Sequence, residues 1–291
     1  MSSQNGHVRA KTVADVLTWY AATSRPACAE SERERLRIWK LFTDYIGEKD
    51  LDSCRPVDLL AFLDARQSLR SPWTRKRWLV TIQRPFNHAA RLGLIQRNPF
   101  WGLQLPAGRE GRDWTRKEYQ AALRHSAPHF RRVIVFLRWS GARPGEMRRA
   151  TVADVDFDAG VIVLWEHKTR RTSHGPRVIH LNAVVSRLLR WLVMHGDGPH
   201  LFVNRYGRPW TCKAVINHFA LVRKRAGLGR DVKPHGLRHS WATNAITNGL
   251  DLATVAQLLG HRSVASSGRY IHLATKNGHL TRSAEKAVGL K

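Results

Sequence analysis

Through the first hundred residues apolar side chains recur at helical spacing and nowhere alternate. Val13, Val16, Leu17 and Tyr20 fall on one side of TVADVLTWYAA, which Thr12 opens, and Leu36, Trp39, Phe42 and Ile46 repeat the pattern in the next segment. Pro56 stands where a third helix, VDLLAFLDARQ, would begin, since a first-turn position needs no amide donor. A fourth, TRKRWLVTIQRPFNHAARLG, follows Ser71 and Pro72 and closes near Gly93, with a kink expected at Pro85. Residues 1–96 therefore read as an all-α domain.

Residues 97–113 hold prolines and glycines without periodicity and read as a linker. Beyond it, Thr115 and Glu118 have the spacing of a reciprocal cap, and FRRVIVFLRWSG is a helix that Gly141 can end. Alternation then appears, with extended runs expected around 151–157, 161–165 and 177–181 and turns at Asp158-Ala159-Gly160 and at 169–176. Helices follow at about 183–194, 211–226, 235–248, 252–259, 263–270 and 280–288. The expected class is mainly α with a small antiparallel β-sheet, the sheet lying in a domain spanning 114–291.

Charge narrows the function. Lys and Arg number 49 against 22 acids in 291 residues, a formal net charge of +27. Self-repulsion of that size is relieved by a polyanion, and nucleic acid fits because each phosphate neutralised releases counterions. The basic residues are spread along the chain rather than gathered on one amphipathic stretch, which disfavours a membrane surface. Cys28, Cys54 and Cys212 form neither a disulfide framework nor a metal motif. The polar first residues and the lack of a run of roughly 20 apolar residues point to a soluble, intracellular protein, and with DNA as its expected partner the expected location is cytoplasmic and nucleoid-associated.

The candidate chemistry lies in the second half. In GARPGEM (141–147), Gly141 ends a helix and Pro144 can start the next, so Arg143 sits on a rigid turn. Its guanidinium suits two phosphate oxygens, and Glu146, three residues on, can brace it from behind. Lys168 in EHKTR (166–170) follows the strand VIVLW, where an ammonium can protonate a leaving oxygen; Arg170 and Arg171 are rivals for that place. His235 and Arg238 in PHGLRHSWAT (234–243) are spaced to share a helix face, with His239 pointing elsewhere. Gly260 in LLGH (258–261) fixes where His261 emerges, and Tyr270 in GRYIHL (268–273) follows nine residues later. A phenol ionises near about 10 and becomes a nucleophile only inside such a cationic field. Asp154, Asp156 and Asp158 read as one strand face leading into a turn rather than as a metal site, and no phosphate loop supports ATP use. Neither metal nor cofactor is expected.

Taken in order, Arg143, Lys168, His235, Arg238, His261 and Tyr270 resemble the catalytic set of the tyrosine recombinases, the phage integrase family. The resemblance covers the whole plan. It implies an all-α core-binding (SAM-like) domain over 1–96, a linker over 97–113 and an α+β catalytic domain over 114–291, with nothing like the arm-binding domain that some members carry ahead of these. It also implies a 3′-phosphotyrosyl intermediate on Tyr270, a leaving 5′ oxygen protonated by Lys168, and double-stranded DNA as substrate. Four protomers would meet at synapsis and exchange strands through a Holliday junction, with accessory proteins as optional partners. The segment HLTRSAEKAVGLK, with Leu280, Ala284, Ala287 and Val288 along one side, would dock on a neighbouring protomer. Two other readings are a type IB topoisomerase-like relaxer and a DNA-binding or architectural protein with an inert pocket.

Overall fold

Helix caps and apolar stripes set the architecture of the chain, whose computed structural model describes residues 10–24, 29–106, 111–165 and 175–260. The chain divides into two compact units, Met1–Glu110 and Gly111–Lys291.

Among the described residues, four α-helices make the first unit: α1 (Val13–Thr23), α2 (Ala29–Ile46), α3 (Pro56–Asp64) and α4 (Pro72–Arg91). Thr12 and Asp15 close a reciprocal cap on α1, and Pro56 and Pro72 open α3 and α4. Helix α4 runs as one element through Pro85. The buried stripe of α2 is Ile38, Trp39 and Phe42; Leu36, expected on it, is exposed. Arg35 lies instead over the rings of Trp39 and Tyr20, at 4.6 and 5.6 Å from their centres. Phe42, Phe62, Phe86 and Phe100 meet edge to face at the centre of the unit. Phe100 belongs to the stretch read as a linker, yet it is fully buried, and Gln83 Nε2 donates to its carbonyl (2.6 Å) and to that of Leu103 (3.1 Å).

Among the described residues, the second unit packs seven α-helices around a three-stranded antiparallel sheet. Its helices are α5 (Arg116–Arg124), α6 (Pro128–Ser140), α7 (Pro144–Arg149), α8 (Ala183–Met194), α9 (Cys212–Arg225), α10 (Pro234–Thr247) and α11 (Leu252–Leu259). Strands β1 (Val155–Asp156), β2 (Val161–Leu164) and β3 (Arg177–His180) lie in the order β1-β2-β3, with Ile162 opposite Ile179 and Leu164 opposite Arg177. Ile162, Leu164 and Ile179 join Phe130, Phe136, Phe219 and Leu237 in the main core.

The first strand is shorter than its alternation suggests. The Thr151 amide and hydroxyl both donate to Asp154 Oδ2, at 2.7 Å each, and hold Val152–Asp154 as a 3₁₀ turn. Asp156 Oδ1 accepts from the amides of Asp158 and Ala159, shaping the turn into β2. The three aspartates therefore do not share a strand face. Two of them serve local backbone hydrogen bonds, as short acidic side chains commonly do.

Candidate active site

Helix α6 ends where Gly141 takes a left-handed conformation (φ +65°), and a Cβ there would come within 2.9 Å of the Trp241 ring. Arg143 then caps α7, with Pro144 at its first turn. Glu146 reaches back: its Oε2 accepts from the Arg143 amide at 2.8 Å and its Oε1 from Arg143 Nη1 at 2.7 Å. Glu146 is 3% exposed. Burial pushes its carboxyl up, but the Arg177 charge, the Arg143 amide and the Arg143 charge outweigh that and hold it below the usual carboxylate range.

Arg238 comes from α10 and is also 3% exposed. Its Nη1 donates to the Gly141 carbonyl (2.7 Å) and its Nη2 to that of Leu259 (2.6 Å). Helix α11, capped by Asp251 onto the Thr254 amide (2.9 Å), ends at Gly260, again left-handed at φ +65°. Arg143 Nη2 approaches the Gly260 carbonyl at 3.5 Å. The tips of both predicted arginines thus reach consecutive carbonyls, Leu259 and Gly260, immediately ahead of His261.

His235 is exposed on the first turn of α10. Contrary to the expectation that His239 points elsewhere, the two rings meet edge to face with centres 5.0 Å apart, as their i, i+4 spacing allows. Leu237 enters the main core, while Trp241 and Ala245 pack on a smaller cluster of Ala242, Ile246, Val255 and Leu259. Helix α10 is also held to the first residues of its unit. The Trp114 amide donates to Ser240 Oγ (2.7 Å) and the Trp114 indole to the Lys233 carbonyl (2.8 Å). A Cβ at Gly236 would lie 2.5 Å from the Arg112 carbonyl.

Arg177, at the start of β3, was not foreseen. It is 6% exposed, with Nε 3.6 Å from Glu146 Oε1. A signal for it existed: Arg177 shares the core-facing side of β3 with Ile179, so a cation occupies an apolar slot in the alternation. Lys168, His261 and Tyr270 lie outside the described residues. Among the described residues no group of three or more His, Cys, Asp or Glu could hold a metal ion, and no helix is long and apolar enough to cross a membrane.

The sequence profile of the phage integrase family matches residues 114–277, more than half of the chain, and spans Arg143, Glu146, Lys168, Arg177, His235, Arg238, His261 and Tyr270. The chain belongs to the phage integrase family, the tyrosine recombinases. Tyrosine recombinase XerC of Lacticaseibacillus casei is 25% identical over 252 residues, covering 80% of each chain. Tyrosine recombinase XerD of Staphylococcus haemolyticus is 30% identical over 151 residues, half of each. Among solved structures, the Tn1549 transposon integrase in complex with circular intermediate DNA superposes with a TM-score of 0.73 at 19% identity, over 90% of this chain and 95% of that one. A lambda integrase tetramer bound to a Holliday junction gives 0.70 at 18%, over 88% and 79%. At such identities the structural likeness carries the fold, which is the mainly helical one with a small antiparallel sheet that the sequence led us to expect.

Proposed function

We propose that this recombinase cuts and rejoins double-stranded DNA at a specific site, with Tyr270 as nucleophile. The Tyr270 oxygen attacks a phosphorus, forming a 3′-phosphotyrosyl bond, and the 5′ oxygen leaves with a proton from Lys168. A 5′ hydroxyl from a partner duplex then attacks that linkage and releases the tyrosine, so bond energy is conserved without a nucleotide cofactor. Arg143, Arg238, His235 and His261 hold the reacting phosphate and offset the charge of its five-coordinate transition state. Residues 1–96 bind the core DNA site, and four protomers assemble on a Holliday junction. The protein works at the nucleoid.

One observation supports this reading above the others. Arg143 and Arg238 come from helices far apart in sequence, yet their guanidiniums converge on Leu259 and Gly260, the two residues before His261. Two of the six expected groups are thereby drawn to the stretch of backbone that directly precedes a third in the sequence.

The test is incubation with a nicked suicide substrate carrying the candidate site, in EDTA, followed by a denaturing gel. The wild-type chain is expected to give a covalent protein–DNA band and Tyr270→Phe none, with DNA binding retained. Binding without any covalent band would favour an inert DNA-binding protein. A band persisting in the variant would mean another nucleophile, and relaxation without strand exchange would mark a topoisomerase-like enzyme.

A further inference from the structure

Arg177 is an expensive residue to bury. Its Nη1 donates to the Val178 carbonyl, while Nε and Nη2 have no hydrogen-bond partner among the described residues. Idle buried donors on a charged group destabilise a fold. A leucine or valine would suit the slot beside Ile179 and opposite Leu164 better, so packing alone does not explain the cation.

Charge does explain it. Glu146 Oε1 faces two guanidiniums, Arg143 Nη1 at 2.7 Å and Arg177 Nε at 3.6 Å. With Arg143 alone, the ionised Glu146 would cancel the charge that a phosphate must find there. Adding Arg177 leaves this buried cluster with one positive charge in excess, directed outward through the more exposed member, Arg143, whose side chain is 29% accessible. The end of α11 pins the arrangement, since a Cβ at Gly260 would lie 2.8 Å from Arg177 Cδ.

We infer that Arg177 is a positioning residue for the phosphate-binding arginine: it neutralises Glu146, so that Glu146 can orient Arg143 without quenching its charge. This rests on the reading of Arg143 as a phosphate ligand. The test uses the full chain as wild type, Arg177→Gln, Arg177→Lys, Glu146→Gln and the double variant Arg177→Gln/Glu146→Gln. Two quantities are measured: single-turnover cleavage of the suicide substrate, and thermal unfolding without DNA. Arg177→Gln is expected to bind the site yet cleave about 10²-fold more slowly, the scale of a misplaced catalytic group. Arg177→Lys restores most of that rate, and the double variant cleaves faster than Arg177→Gln because no uncompensated carboxylate remains. Wild-type cleavage by Arg177→Gln, failure of the lysine to rescue, or multiplicative effects in the double variant would each overturn the inference. If Arg177→Gln does not fold, the lysine variant decides. Should the wild type itself give no covalent complex, the reading of Tyr270 fails instead. The unfolding cycle then decides the Arg177–Glu146 coupling alone, with additivity counting against it.

Discussion

Replacing Arg238 with methionine separates a residue that merely faces DNA from one that also holds the site together. Methionine keeps much of the apolar stem and removes both donors. Hydrogen bonds from a charged group contribute about 1.5–3 kcal/mol each, so losing the two to Gly141 and Leu259 costs about 3–6 kcal/mol. Burial leaves little solvent screening to reduce that figure. A unit of this size shifts by about 2–4 °C per kcal/mol, which places the fall in melting temperature at roughly 6–24 °C. The assay is circular dichroism melting of the full chain, with Arg143→Met as comparator. That variant leaves Glu146 paired with Arg177 and removes a partly exposed side chain, so its shift should be less than half as large. A fall of less than about 2 °C for Arg238→Met would refute the view that this guanidinium ties α10 to the Gly141 corner and to α11.

Three further outcomes follow from the same packing. Gly260→Ala forces a side chain into a left-handed conformation, costing about 1–2 kcal/mol, and drives Cβ into Arg177; suicide-substrate cleavage should drop while gel-shift binding persists, and wild-type cleavage would contradict the packing. Hydrogen bonding from Arg112 holds Glu118 down at about 2, against 4.5 in the unfolded chain. The folded value is the lower one, so this pairing stabilises above pH 4.5 and its contribution fades as pH falls toward 2. Urea unfolding of Glu118→Gln should therefore differ most from wild type near neutrality and converge with it in acid. Burial pushes the Cys54 thiol up to about 11, whereas Cys212 is exposed. A thiol reagent followed by peptide mapping should label Cys212 quickly and Cys54 only after unfolding.

Local rules wrote much of this fold into the sequence. Thr12 opens its helix and Thr115 with Glu118 closes the cap their spacing announces, Pro56 and Pro144 start helices, and Gly141 and Gly260 end them. Each of those signals acts within four residues. What escaped depends on partners distant in the chain or on competition between them. Arg177 makes sense only beside Glu146, which lies thirty-one positions earlier. Arg238 shares a motif with His235, but that its tips would bridge Gly141 and Leu259 is a tertiary fact. The extended reading at 151–157 held only over Val155–Asp156, because Thr151 and Asp154 offer the preceding backbone a tighter turn than a ladder. Phe100 sat among prolines and glycines, where one aromatic makes no period.

The seam between Trp114 and α10 has a mechanical consequence. The second unit receives its chain not at a peripheral loop but against Gly236, in the first turn of the helix that carries His235 and Arg238. Tension along the backbone ahead of Arg112 would load that turn directly through the Trp114–Ser240 and Trp114–Lys233 hydrogen bonds. A fragment cut after Trp114 would lose that anchorage and leave Ser240 without its amide donor. Residues 112–114 are thus the tether by which the chain can pull on its own candidate site.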